Sequence, residues 1–349
     1  MRWHLLLLTT ALLLVPTAAT AYPISAATLW TMTRDAPLIV LARVERLHAG
    51  AAAPETFATA RYLLESCGGR EGSGLARLHV LEVWKGETGP EIDVETDAGM
   101  ICPAPPRFVP GRTVLAFLTA GSRGVFRVPY LSYGTLYPAS TQVATIRSRV
   151  VEAIALNAKR PVPDAARHEW LVRCASHDVT RWDGLYELAP ASDEVHAYYD
   201  SNRKKQPVTV PERDLEAIAQ GFVREPSWDR AFPMTLALLK NHRSAELDRT
   251  AIAVIDAISA EADLPYWFRE ALALVLDRLG APPELEKPVA ESKDTEDFTD
   301  RETYQKSLAQ RDQRLREHWK AAREKMKLPP SAPLKRPEGV SGVGGSTPD

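Results

Sequence analysis

Cysteines, histidines beside acids and closely spaced tyrosines are the residues of this chain whose types and spacing could do chemistry. Within His168-Glu-Trp-Leu-Val-Arg-Cys-Ala-Ser-His177, a thiol stands six residues after one histidine and three before another. Such a group can supply a thiolate lowered by a histidine, or a zinc site with Glu169 as base, the chemistry of a thiol- or zinc-dependent hydrolase. Helical spacing sets Cys174 and His177 on one side at i, i+3 but leaves His168 about 120° from Cys174. The run also lacks the second histidine of H-E-x-x-H. The competing reading is a structural thiol packed with Leu171 on an apolar helix face, with no metal and no cofactor.

Cys67 and Cys102 stand in stretches rich in Gly and Pro. In an oxidising compartment such a pair is expected to close, and the bond would contribute about 3 to 4 kcal/mol by restricting the unfolded chain. Tyr130, Tyr133 and Tyr137, clustered around Gly134, can line a ligand-binding face or fill the core beside the last strands. Thr180-Arg-Trp-Asp-Gly-Leu-Tyr-Glu187 reads as an aromatic turn braced by Arg and Asp. The phosphate-loop, nucleophile-elbow, dinucleotide-binding and C-x-x-C patterns are all missing from the sequence.

The elements that must position these residues fall into two halves. From Pro37 to Pro138 the signal is β. Strands are expected at Leu38 to Leu47, Leu75 to Trp84, Glu91 to Thr96, Thr113 to Leu118 and Gly124 to Val128, after a short helix over Ala26 to Arg34. Short strands with a turn every ten or so residues indicate a small barrel or sandwich. Helices are expected over Thr141 to Lys159, Asp164 to Ala175, Asp193 to Lys204 and from a Thr209 cap onward. Ala217-Ile-Ala219 returns as Ala251-Ile-Ala253 thirty-four residues later, each followed by a second apolar helix. This is the spacing of a HEAT or tetratricopeptide repeat, although the triplet is also common in any Ala-rich helical chain.

Arg2, the apolar run from Leu5 to Val15, Pro16 and Ala19-Thr-Ala21 form the anatomy of a secretory leader cleaved after Ala21. The expected destination is the periplasm or the medium, with no transmembrane anchor left after cleavage. The expected organisation is a leader over 1–21, a β domain over 22–138, an α-helical domain over 139–283, a charged segment over 284–327 and a disordered tail over 328–349. In the charged segment an acidic half precedes a basic helix. Its narrow stripe of Tyr304, Leu308, Leu315, Trp319, Ala322 and Met326 can dock on the helical domain or serve a partner contact over 304–327. A composition of 45% hydrophobic and 25% charged residues with a net charge of -2 is that of a folded globular chain without an electrostatic footprint for nucleic acid.

Asp35-Ala-Pro-Leu-Ile-Val-Leu-Ala-Arg-Val44, Val80-Leu-Glu-Val-Trp-Lys-Gly86, Cys102-Pro103 and Gly111-Arg-Thr-Val-Leu-Ala-Phe-Leu118 come in the order in which they occur in the netrin-like domain. The first third of the chain thus resembles that domain, an OB-type barrel related to the tissue inhibitors of metalloproteinases. The resemblance implies an α+β multidomain protein with an OB-like β barrel ahead of the helices. The inhibitors present an N-terminal cysteine to the protease metal, whereas the expected mature terminus here is Tyr22, so an inhibitor would have to act through a barrel loop. The function expected is non-catalytic binding of a protein or envelope ligand, with the hydrolase and the protease inhibitor as alternatives.

Overall fold

The computed structural model describes residues 26–49, 74–96, 106–121, 124–190, 208–285 and 301–334. The leader expected over 1–21, Cys67, Cys102, the helix expected over 193–204, most of the acidic stretch and residues 335–349 lie outside the described residues.

Thr28 opens helix α1 (Leu29–Asp35), its hydroxyl accepting the Thr31 N–H, and the extended Ala36 with Pro37 ends it. Strand β1 (Leu38–Ala49) then pairs with β2 (Gly74–Lys85) on one edge and β4 (Thr113–Ala120) on the other, both antiparallel. Strand β3 (Glu91–Thr96) joins β2, and the two-residue β5 (Phe126–Arg127) links β3 to β4, parallel to the first and antiparallel to the second. The five strands close in the order β1-β2-β3-β5-β4-β1, with β6 (Thr135–Leu136) adding to β4. This closed barrel is compatible with an OB-like fold.

The unbroken apolar runs of β1 and β4 have a physical reason. Leu38, Val40, Ala42 and Val44 meet Val114, Ala116 and Leu118 inside the barrel, while Ile39, Leu41, Leu115 and Phe117 point outward into a second core shared with α1 and the helices. Strands buried on both faces do not alternate. Trp84 joins that outer core, the Lys85 ammonium donates to the Thr33 and Arg34 carbonyls at the end of α1, and Gly86 turns at φ +79° where a Cβ would meet the Pro37 oxygen at 2.5 Å. The Trp-Lys-Gly sequence thus ties β2 to α1.

The rest is helical: α2 (Ser140–Asn157), α3 (Asp164–Ala175), α4 (Arg181–Leu188), α5 (Glu212–Arg224), α6 (Ala231–Leu238), α7 (Ala245–Ser259), α8 (Phe268–Arg278) and α9 (Arg301–Met326). Helix α2 packs on α1, β2 and α3. Beyond it, α3, α5 and α7 pack in one row and α4, α6 and α8 in a second. The first row is close enough that a Cβ on Gly221 would sit 2.1 Å from the Ser176 carbonyl oxygen. Two local expectations are corrected. Thr209 does not cap α5, which starts at Glu212 behind Pro211 without a side-chain cap. The segment read as an aromatic turn is a 3-10 turn (Asp178–Thr180) followed by α4, because Gly184 lets the helix cross α3 with backbone nearly in contact: a Cβ there would be 2.3 Å from the Leu171 oxygen.

Helix α9 docks on the helical rows. Leu315, Trp319 and Ala322 are buried, the Trp319 indole N–H donates to Asp256 (2.8 Å), and the Leu264 N–H donates to Asp312 (2.8 Å). Arg316 donates to the carbonyls of Ser259, Glu261 and Ala262 at the end of α7, where the helix dipole favours a cation. After it, Leu328 and Leu334 lie against the same core. Among the described residues no helix is long and apolar enough to cross a membrane.

Candidate functional site

The residues singled out on α3 point in different directions. Cys174 is fully buried, and burial pushes its thiol well above the ordinary range, so it has little thiolate character at neutral pH. His168 faces α5, with Nε2 2.9 Å from the Asp214 carboxylate. Glu169 is exposed beside Arg173. His177 follows the end of the helix, where its N–H donates to the Cys174 carbonyl and its ring turns to Asp178 and Glu225. The structure therefore brings no set of ligand atoms around Cys174: among the described residues, the groups of three with metal-ligand spacing are His177, Asp178 and Glu225, and Glu45, His79 and Glu91.

The next residues onward, read from the sequence as a turn braced by Arg and Asp, carry a dense set of buried polar contacts. Arg181 is fully buried and donates to the carbonyls of Ala175 (3.1 Å), Gly221 (3.0 Å) and Glu225 (2.7 Å) and to the Ser227 hydroxyl (2.8 Å). Three of these acceptors are carbonyls at helix C-termini, where backbone partners run out; the Gly221 carbonyl also accepts the Glu225 N–H. Arg278 repeats the device one pair later, donating to the Leu239 and His242 carbonyls and to Asp248. Asp183, on the following turn, reaches the barrel side: its Oδ1 accepts the Leu29 N–H (2.7 Å) at the start of α1. Burial pushes Asp183 up to about 7, against the pull of that N–H and of the Arg230 guanidinium. Arg230 lies 4.1 Å from the Trp182 ring centre and 5.6 Å from Tyr133, and those two rings stack at 5.8 Å.

The three tyrosines separate. Tyr133 is buried in this seam between barrel and helices. Tyr130 is half-buried near Asp35; desolvation first, and the hydrogen bond with that carboxylate second, push its phenol up to about 12. Tyr137 stitches a loop, donating to the Arg107 carbonyl (2.6 Å) and accepting the Val109 N–H (3.0 Å), with Arg112 over its ring. Of the three, only Tyr133 is buried; Tyr130 and Tyr137 are half-buried.

An open surface is found instead on β2. Its pairing with β3 ends at His79 opposite Glu91, with one further hydrogen bond from the Val80 N–H to the Pro90 carbonyl. From Leu81 to Lys85 the strand has no strand partner on that edge among the described residues, while its other edge stays paired with β1. Leu81 is the extra residue of a β-bulge, between the pairs Ala42↔Val80 and Leu41↔Glu82. It is 47% exposed and Val83 is 41% exposed, in a chain that buries most of its large apolar residues. A bulge re-aims the side chain at that point, and an unpaired strand edge offers backbone donors and acceptors in register.

Neither the known family models nor the curated proteins match this chain.

Proposed function

We propose that the protein is an exported, non-catalytic binding protein that takes up an extended segment of a protein ligand along the overhanging half of β2. The observation that carries this reading is the unpaired edge from Leu81 to Lys85 with two exposed apolar side chains. Strand addition supplies affinity through the backbone and selectivity through alternate side chains. Meanwhile the residues that looked reactive are not gathered around the thiol: Cys174 is sealed, His168 faces Asp214 and His177 faces Asp178 and Glu225.

The barrel is proposed to be netrin-like, supported by its strand order and by the role of Trp84, Lys85 and Gly86. Export is supported by the leader anatomy of residues 1–21. The Cys67–Cys102 disulfide remains part of the proposal. Ala49, Gly74 and Thr96 are paired across β1, β2 and β3, so the chain stretches carrying the two cysteines both leave from one rim of the barrel. The two rows of helices, bridged by Arg181 and Arg278 at successive pairs, are proposed as a short solenoid of the HEAT or tetratricopeptide kind that holds the barrel.

The test is a displayed random-peptide selection against the purified mature protein, followed by affinity measurement on wild type and on Leu81→Asp/Val83→Asp. The expected result is a set of peptides with alternating apolar residues that bind wild type and lose at least tenfold in the variant, whose thermal unfolding is little changed because both positions are exposed. Selected peptides that ignore the two substitutions would overturn the reading. So would a hydrolytic activity abolished by Cys174→Ser.

A further inference from the structure

The geometry points to a binding site for one zinc-class divalent ion at His177, Asp178 and Glu225. His177 and Asp178 stand in the turn between α3 and α4, and Glu225 is the residue that ends α5. His177 Nδ1 lies 2.7 Å from Asp178 Oδ1 and 3.8 Å from Glu225 Oε2, and the three ligand atoms all fall within 4.8 Å of one another. Two of them, Nδ1 and Oε2, are shielded from solvent and have no hydrogen-bond partner of acceptable geometry. Buried polar atoms are normally satisfied, and an ion placed between these two would satisfy both and take Asp178 Oδ1, 2.7 Å from the ring, as its third ligand.

An ion with bonds of about 2.1 Å holds neighbouring ligand atoms about 3.4 Å apart in a tetrahedron. The observed 2.7 and 3.8 Å separations lie on either side of that value and the third pair is within 4.8 Å, so side-chain rotation can bring the three atoms around one ion. One imidazole nitrogen with two carboxylate oxygens suits zinc, cobalt, nickel or manganese and disfavours calcium and magnesium, which prefer all-oxygen sets. The two carboxylates match the ion's two positive charges, and the Arg181 guanidinium on the Glu225 carbonyl is a third positive charge that opposes binding. The bound ion ties the α3–α4 turn to the end of α5, beside the contact of Gly221 with Ser176. By contrast, Glu45, His79 and Glu91 are all exposed on the barrel surface, and none of their atoms is among the buried orphans.

The test is a zinc chloride titration of the full mature chain, stripped with chelator, followed by calorimetry and by thermal unfolding, with cobalt absorption as a second probe. Wild type is expected to bind one ion per chain, to unfold at higher temperature when loaded, and to give a cobalt spectrum with a nitrogen ligand. Glu225→Gln and Asp178→Asn keep shape and remove charge. Each is expected to weaken zinc binding by about tenfold or more, as loss of a metal partner does, without lowering the unfolding temperature of the stripped protein. His177→Gln gives the same result where it folds. Zinc binding of equal strength in wild type and Glu225→Gln overturns the site, as does binding lost only in His79→Ala, or no binding to wild type.

Discussion

Replacing Asp183 by asparagine separates its charge from its hydrogen bond. The wild-type carboxylate titrates at about 7 when folded, against an ordinary value of 3.8, because burial opposes its charge more than the Leu29 N–H and Arg230 favour it. Between about pH 4 and 7 the folded state therefore keeps a proton that the unfolded state releases, so unfolding free energy falls as pH rises through that window. One such group contributes a slope of at most about 1.4 kcal/mol per pH unit, about 4 kcal/mol over the whole window. Asparagine retains an oxygen for the Leu29 N–H but has no charge to bury. Asp183→Asn is thus expected to gain stability relative to wild type steadily from pH 4 to 7 and to level off above it. Asp35 and Asp93, held low by Arg34 and Arg77, contribute stability that is lost in acid. Together with the buried Asp229, whose carboxyl is also raised, they titrate in both proteins and cancel in the difference. Urea unfolding followed by tryptophan fluorescence at half-unit pH steps measures it. A difference that stays flat from pH 4 to 8 would refute the claim that burial dominates at Asp183.

Arg181→Met is expected to cost about 3 to 5 kcal/mol in urea unfolding, because it strips a donor from the buried Ala175 and Gly221 carbonyls and the Ser227 hydroxyl and from the part-buried Glu225 carbonyl; a loss under 1 kcal/mol would show that the guanidinium is not their partner. Gly221→Ala should destabilise by about 1 to 3 kcal/mol, the cost of overpacking, since its Cβ meets Ser176 backbone that cannot swing away; a neutral thermal melt would contradict the close crossing of α3 and α5. Thiol titration of the non-reduced protein should give no reaction in the native state and one thiol per chain after denaturation. Rapid native alkylation would contradict the burial of Cys174, and three thiols after denaturation would remove the Cys67–Cys102 bond from the proposal.

The β half was readable because its strands obey simple patterns. Leu38 to Val44 and Thr113 to Leu118 are runs with turn residues at their ends, and both appear as strands β1 and β4 within a few residues of the expected bounds. What the pattern did not convey is why those runs are continuous, which depends on α1 and the later helices covering the outer face of the barrel. Helix α4 was misread for a related reason. Arg181, Trp182, Asp183, Gly184, Leu185 and Tyr186 are buried on every side, so no apolar stripe distinguishes the segment from a charged turn around Asp-Gly. The polar residues that matter most, Arg181 and Asp183, look like surface residues in sequence and are inside only because their partners are backbone groups from other helices. Glu225 was invisible for the opposite reason: nothing in sequence links it to His177, forty-eight positions earlier, and only the packing of α3 against α5 brings them together. The periodic stripe of the last helix was legible, and Leu315, Trp319 and Ala322 are the residues that bury it on the helical rows.

A ligand strand added along β2 from Leu81 to Lys85 would protect backbone amides that have no strand partner there among the described residues. Amide hydrogen exchange over residues 81–85, measured without and with a selected peptide, tests this most directly. Amides on this edge are expected to exchange much faster than those of Leu78 or Val44 in the barrel, and peptide is expected to slow them while leaving the helices unchanged. Amides already protected to the level of the barrel core in the free protein, or unaffected by saturating peptide, would contradict it.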